Sequence, residues 1–275
     1  MSEIIHSLWI GDNLSSLELL TLNSFTQSGY EFNLWVYDID LPVPHNIVKK
    51  NANDIIPESE VFYYKNASKY GHGKGSLAGF SDIFRYQLLY KYGGIWVDMD
   101  ITCLQPLDIS SDHFFRHHHT FGLVGNVLKA PQNSPLMLWC YERSITQINA
   151  DNINWTLPIE ILKQGVKQFK LEGFIQNISN EDKWPVVARM LRKNKKIPAH
   201  WKVIHWMNEE FRHLDIQKNK AVKDSVYEQF LKKYTVAYSV YTKEEENDLW
   251  WKLSKLNYTL INLRARWDWL IQKFR

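Results

Sequence analysis

The chain has 275 residues, 45% hydrophobic and 23% charged, enough for one large core and ordinary for a globular protein. Its net charge of +3 is uneven, since residues 216–275 hold 12 Lys and Arg against 7 Asp and Glu. The body is therefore slightly acidic, which argues against a nucleic-acid-binding protein. No run of 18 apolar residues exists, which excludes a membrane-spanning helix. Met1 to Gly11 lacks the basic start and apolar stretch of a signal peptide, so a cytosolic chain is expected.

Glu3 to Ile10 reads as a first strand closed by Gly11-Asp12-Asn13, and Leu14 to Thr26 as a helix ending before Gly29. Glu31 to Tyr37 reads as a second strand, followed by Asp38. Strand, helix and strand in so short a span make a βαβ unit with a parallel pair. Ligands of such sheets bind beyond the C-terminal strand ends, where Trp9 and Asp38 lie. Trp9 is open to two readings, a core aromatic or a wall of a ligand site. Ile47 to Ile56 reads as a helix, and the glycine-rich Tyr64 to Gly79 as a surface loop or a lid.

Ser81 to Asp100, SDIFRYQLLYKYGGIWVDMD, is the stretch with most chemistry. Ser81 suits an N-cap, with Asp82 in the first turn of a helix. Asp82, Arg85 and Leu89 share a helical face, and Gly93-Gly94 ends the helix. Ile95-Trp96-Val97 is a short buried strand, and the two-residue step from Asp98 to Asp100 along it predicts both carboxylates on one face. Two aspartates at a buried strand end need a positive partner, and a hard divalent cation with substrate phosphates suits them.

This segment resembles the sugar-binding region of the DXD glycosyltransferases of family 32 and, more distantly, the large clostridial toxin glucosyltransferases. The matching residues are Ser81-Asp82, Arg85-Tyr86, Leu89-Tyr90, Gly93-Gly94, Asp98 and Asp100, with Trp96 standing where the family usually has tyrosine. The resemblance implies an α/β fold of the GT-A type, with a mostly parallel sheet flanked by helices. It implies a UDP-sugar donor, with Mn²⁺ or Mg²⁺ held by Asp98 and Asp100. Asp82 and Arg85 would hold the donor sugar or ribose, and Trp9, in the stretch His6 to Gly11, would stack on uracil. Trp96 and Asp38 complete the donor-side candidates. Retention of configuration is implied as well, with surface polysaccharide or glycolipid assembly as the setting and a glycan or lipid-linked glycan as acceptor.

After Asp100 the chain runs through Ile101 to Leu104, and His117-His118-His119 reads as a surface or acceptor-side loop. Cys103 and Cys140 sit in apolar contexts without metal-ligand spacing and read as buried thiols of a reducing compartment. Phe121 to Ala130 reads as a strand, with Asn126 a candidate sugar contact, and Pro135 to Ile148 and Leu157 to Phe169 read as helices. Trp201 to Met207 is a short apolar strand containing His205, either a core histidine or, as the resemblance implies, a metal ligand near the donor diphosphate.

Two divisions are expected: a catalytic body over 1–215 and a helical extension over 216–275. Within the extension, Leu260, Leu263, Trp267, Leu270, Ile271 and Phe274 form an apolar stripe edged by Arg264, Arg266, Lys273 and Arg275, with Trp269 opposite. It suits a closing helix packed on the core, or contact of residues 257–275 with an anionic membrane and a peripheral place at its inner face. Two other functions fit parts of the pattern. Asp98-Met99-Asp100-Ile101-Thr102 matches the D-x-D-x-T of haloacid-dehalogenase-type phosphatases, but their downstream acidic motif is missing. A sugar-binding module without turnover is the third.

Overall fold

The computed structural model describes residues 4–68 and 71–273. Its first unit is β1 (Ile4–Trp9), α1 (Ser16–Gln27) and β2 (Glu31–Val36). Ser15 and Glu18 form a capping box that fixes the start of α1. β3 (Ile47–Asn51) follows and pairs parallel to β2 from Phe32–Ile47 to Val36–Asn51. A helix is expected over Ile47 to Ile56, and only a short 3-10 turn at Ala52–Asp54 is found there. Pairing of the β-branched Ile47-Val48 along the open edge of β2 overrides the helical spacing.

Next come α2 (Ala78–Tyr92), β4 (Gly94–Val97), β5 (Ile101–Cys103), β6 (Phe114–His118) and β7 (Gly122–Ala130). The helix α2 begins three residues before Ser81, which lies inside it with its N–H on the Leu77 carbonyl. The early start requires Gly79, because a Cβ there would sit 2.2 Å from the Tyr64 hydroxyl. The chain continues through α3 (Pro135–Gln147), α4 (Leu157–Gln168), β8 (Ile175–Gln176), α5 (Trp184–Arg192), β9 (Val203–His205) and α6 (Asn208–His213). It ends with β10 (Lys220–Ala221), α7 (Val226–Lys233), β11 (Ser239–Val240), α8 (Lys243–Lys252) and α9 (Lys255–Lys273). The span after Ile216, expected to be all helix, thus also holds the short parallel pair β10 and β11.

The main sheet has the order β3-β2-β1-β4-β7-β6-β8. The first four strands run parallel, β4–β7 and β7–β6 pair antiparallel, and β8 is parallel to β6. The expected mixed, mostly parallel sheet flanked by helices is present. Strand residues alternate between its two faces. Ile95, Val97, Leu34 and Val127 join α1 residues Leu22 and Phe25 on one face. Trp96, Trp35 and Leu128 join the α2 and α3 residues Phe84, Leu88 and Met137 on the other. A further apolar cluster unites α1 residues Leu17 and Leu20 with α5, Trp206, α7 and α8. Residues beyond 216 therefore share a core with the first helix. Cys103 and Cys140 are both free and buried.

Candidate active site

The site lies where β4 ends. Asp98-Met99-Asp100 is a turn and not a continuation of the strand, because the Ile101 N–H closes onto the Asp98 carbonyl at 3.2 Å. The turn is pinned on three sides. The Asp98 N–H donates to the Asn126 carbonyl, the Thr21 hydroxyl donates to the Met99 carbonyl, and the Trp206 N–H donates to the Asp100 carbonyl. The two carboxylates converge through the turn, not through strand alternation, onto one cavity of about 510 Å³.

Asp98 Oδ1 accepts from the Trp96 indole at 2.6 Å and from Arg85 at 3.1 Å. Arg85 also pairs with Asp82 at 3.0 Å. Its guanidinium lies 5.1 Å from the Trp96 ring centre and rests against β7 at Gly125, where a Cβ would stand 2.1 Å from its terminal nitrogen. Burial pushes the Asp82 carboxyl up to about 6, with Arg85 opposing and Asp98 adding to the rise.

Asp100 belongs to a second charged group. Its Oδ2 accepts from the Asn208 N–H at 2.7 Å and from His205 Nε2 at 3.1 Å. His205 Nδ1 meets Asp182 at 2.6 Å, and Asp182 pairs in turn with the wholly buried Arg116. Arg116 further donates to Asn126 at 2.7 Å and to Ser179 at 2.6 Å. Burial alone would lower the His205 pKa, yet the Asp100 and Asp182 carboxylates on its two nitrogens raise it to about 10. The Asp100 carboxyl is lowered, as His205 and the Asn208 N–H outweigh its burial.

At the opposite rim Lys218 donates to the buried Glu18 carboxylate at 2.7 Å, and its ammonium sits 5.8 Å from the Trp9 ring centre. The same charge helps to hold the Asp100 carboxyl down. Lys218 thus lines the same cavity as Trp9 and the DXD turn. The loop 71–77 closes another side, tied to α6 by the Gly73 N–H on Glu209 at 2.9 Å and by Arg212 on the Lys74 carbonyl at 2.9 Å.

Of the residues expected from sequence, Trp9, Asp82, Arg85, Asp98, Asp100, Asn126 and His205 all line the cavity. Trp96 does not. It is 1% exposed and acts through its N–H on Asp98, so it is a positioning residue. Asp38 does not either. It is exposed in the turn after β2, where its carboxylate accepts the Asp40 N–H at 2.9 Å. The histidine run is not a surface loop. His117 and His118 belong to β6, and His118 is buried at the cavity wall, while His119 is exposed. Arg116, Asp182, Asn208 and Lys218 went unnoticed in the sequence.

The residues present fit a divalent cation and a polar ligand. The hydrogen bonds to Asp98 end on Oδ1 and those to Asp100 on Oδ2, which leaves one oxygen of each carboxylate for a hard cation. Among the described residues no cluster of three or more acidic, histidine or cysteine side chains forms a complete protein cage. Two carboxylates completed by substrate oxygens suit Mg²⁺ or Mn²⁺. Several described cavity residues also keep a buried polar atom without a hydrogen-bond partner, among them Trp9 Nε1, Arg85 Nε and Asn208 Oδ1. Each such orphan costs about 1–3 kcal/mol, which a polar ligand would recover.

With this geometry in hand, comparison with known proteins gives the chemistry a class. The family model described as glycosyltransferase sugar-binding region containing DXD motif matches residues 25–116. Those residues are similar to a glycosyltransferase sugar-binding region. That region runs from the end of α1 to β6 and includes Asp82, Arg85, Asp98 and Asp100. Inositol phosphoceramide mannosyltransferase 1 of Schizosaccharomyces pombe is 28% identical over 110 residues, 38% of this chain and 30% of that protein. Inositol phosphoceramide mannosyltransferase 3 of the same organism is 35% identical over 60 residues, 21% of this chain and 17% of its own length. The matched stretch thus spans under a third of either curated relative. A solved structure titled PaToxG Glycosyltransferase shows a looser likeness, with a TM-score of 0.46 and 14% identity over 62% of this chain and 69% of that one. Thr102, the last residue of the phosphatase-like motif, is wholly buried and accepts the Trp206 indole N–H at 2.8 Å.

Proposed function

We propose that the protein is a metal-dependent glycosyltransferase that moves a hexose from a UDP-sugar to a glycan or lipid-linked glycan, with retention of configuration. The observation that carries the proposal is the convergence of the half-satisfied Asp98 and Asp100 carboxylates on one cavity with Trp9 and the buried Asp82–Arg85 pair. Asp98 and Asp100 would hold Mn²⁺ or Mg²⁺, with His205, both of whose ring nitrogens face carboxylates, clamping Asp100 rather than adding a third ligand. The ion, when bound, supplies charge stabilisation for the diphosphate leaving group. Trp9 offers an aromatic face for the nucleobase. Lys218, a cation beside Trp9 that lines the same cavity, would meet the phosphates that join base to sugar. Asp82 accepts hydrogen bonds from sugar hydroxyls when ionised, and Arg85 fixes its direction.

The lipid-linked acceptor draws support from the relatives' names, which specify a phosphorylated sphingolipid as the acceptor of mannose. For this chain it means work at a membrane surface, from the cytoplasmic side, in surface polysaccharide or glycolipid assembly. Among the described residues no helix is long and apolar enough to cross a membrane.

The test is a thermal-shift screen of nucleotide sugars, mannosyl donors included, with and without Mn²⁺, followed by measurement of UDP release. A metal-dependent shift by one donor, with UDP release that chelator abolishes, is the expected result. A shift without UDP release would favour the binding module, and full turnover in excess chelator would refute the metal role.

A further inference from the structure

We propose that the exposed face of α9 docks the protein onto an anionic membrane surface. Leu260, Leu263, Trp267 and Leu270 are large apolar side chains of this helix, yet they are 49%, 55%, 66% and 42% exposed. At about 100° per residue they fall within an arc of roughly 80°, one continuous stripe. The exposed Arg264 borders it on one side and the exposed Arg266 on the other. Ile261, well outside that arc, is the residue packed against the cluster of Leu249 and Leu253. A helix that merely closed the core would turn its leucines inward, and the described leucines of α9 do the reverse. Phe274 and Arg275, which extend the stripe and its edge in sequence, lie outside the described residues, as do the side chains of Trp269 and Ile271.

The charge says what covers the stripe. An apolar strip edged by arginines matches the headgroup region of an anionic bilayer, with aliphatic chains below and negative charge beside them. Trp267 adds the aromatic that favours this depth. A second copy of the chain is a poorer match, because two-fold packing of one stripe on another brings like arginine edges together. Directly before α9, α8 leaves Trp250 and Trp251 exposed, with Arg192 and Lys243 both near the Trp250 ring. The helices are tied to the active site. Glu245 of α8 pairs with Lys220, two residues after Lys218 in the cavity wall, and Lys252 pairs with Asp215 at 3.1 Å. A bilayer held by α9 would be linked through this short path to the site that must reach a lipid-borne acceptor. The inference takes its purpose from the lipid-linked acceptor reading, but the binding it describes needs no turnover.

The test uses the full chain and vesicles of phosphatidylcholine alone or mixed with phosphatidylglycerol, in sedimentation at low and high salt. Binding to the anionic vesicles should be at least about tenfold tighter than to the neutral ones and should fall at high salt. The double variant Leu263→Gln with Trp267→Gln should lose binding, with an unchanged thermal midpoint and donor-induced thermal shift. Arg264→Gln with Arg266→Gln should lose mainly the preference for anionic vesicles. Equal binding to both vesicle types, or full binding by the Leu263/Trp267 variant, overturns the proposal. So does a wild-type dimer in light scattering that this variant splits, since the stripe would then be covered by a second copy. The donor thermal shift, measured without vesicles, fails or holds independently and so separates this idea from the enzymatic one.

Discussion

Two charged groups flank the Asp98-Met99-Asp100 turn, and they differ in how they are built. On one side Asp82, Arg85 and Asp98 come from one helix and the turn just past the strand that follows it, joined by contacts of 3.0 and 3.1 Å. On the other, Asp100, His205, Asp182 and Arg116 come from four separate parts of the chain. The first cluster has one cation for two carboxylates, with Asp98 partly open to the cavity and Arg85 Nε unpartnered. The second alternates acid and base, and Arg116 has partners on all three of its nitrogens. An incompletely satisfied group is poised to take a ligand, whereas a closed network holds geometry. We therefore propose that the helix side handles ligand and that the far side supports Asp100.

The largest expected effect falls on the turn that joins the two groups. Asp98→Asn and Asp100→Asn should each reduce transfer by more than about a hundredfold, because each removes a charged ligand from the cation. Donor-induced thermal shifts should lose their metal dependence in both. A variant that keeps metal-dependent turnover within a few-fold of the wild type would remove that aspartate from the site.

The next effect breaks the comparison directly. Arg85→Met and Arg116→Met each take the guanidinium away from a buried carboxylate, and each should cost roughly 3–5 kcal/mol of stability in denaturant unfolding. They should part in activity. Per folded molecule, Arg85→Met should lose most of kcat/KM, while Arg116→Met should retain most of it with weaker metal affinity. If Arg116→Met proves the more inactive of the two at equal folded fraction, the division of labour is reversed.

A smaller effect is expected at Lys218. Its ammonium faces Glu18 and Trp9 and does not touch either charged group. Lys218→Ala should raise the KM for donor about tenfold with a smaller change in kcat, as loss of one charge-assisted phosphate contact implies. Lys218→Arg should restore most of it. An unchanged donor KM in Lys218→Ala would mean that the phosphates pass elsewhere.

The two groups also differ in how far they could be read from sequence. Asp82, Arg85 and Asp98 are set by local rules, a three-residue helical step and a strand end, so their meeting was legible. The sheet was legible too, from the apolar strands Glu31 to Tyr37 and Phe121 to Ala130. The far group depends on contacts between residues 23 to 105 positions apart. Asp182 follows Glu181 in a turn where both have positive φ, 58° and 53°, which no periodicity announces. Arg116 sits at a register shift in β6, where a bulge re-aims the side chain and the string Phe-Phe-Arg-His-His does not alternate. His205 and Asn126 could be flagged as residue types, but not their joint use. Asp38 failed for the opposite reason. It stands at the correct strand end, and its carboxylate is spent on its own turn.

The smallest expected effect serves as a control on both groups. His6 is a buried titratable residue of β1 with an uncharged partner: its Nδ1 accepts from the Trp35 indole at 3.1 Å. Burial, with Lys50 assisting, lowers its pKa from 6.5 to about 4. Between those values the unfolded chain binds a proton that the folded protein refuses. Stability from this group is thus fully present above pH 6.5 and is lost as pH falls toward 4, by up to about 1.4 kcal/mol per pH unit. His6→Gln keeps an acceptor for Trp35 and cannot titrate. Denaturant unfolding of both proteins across this range should give a shallower acid slope for the variant, and the carboxylates common to both cancel in the difference. Parallel slopes would mean that His6 is protonated in the folded state. The Trp35 hydrogen bond would then be absent, and so would the anchoring of β1 that carries Trp9 to the cavity wall.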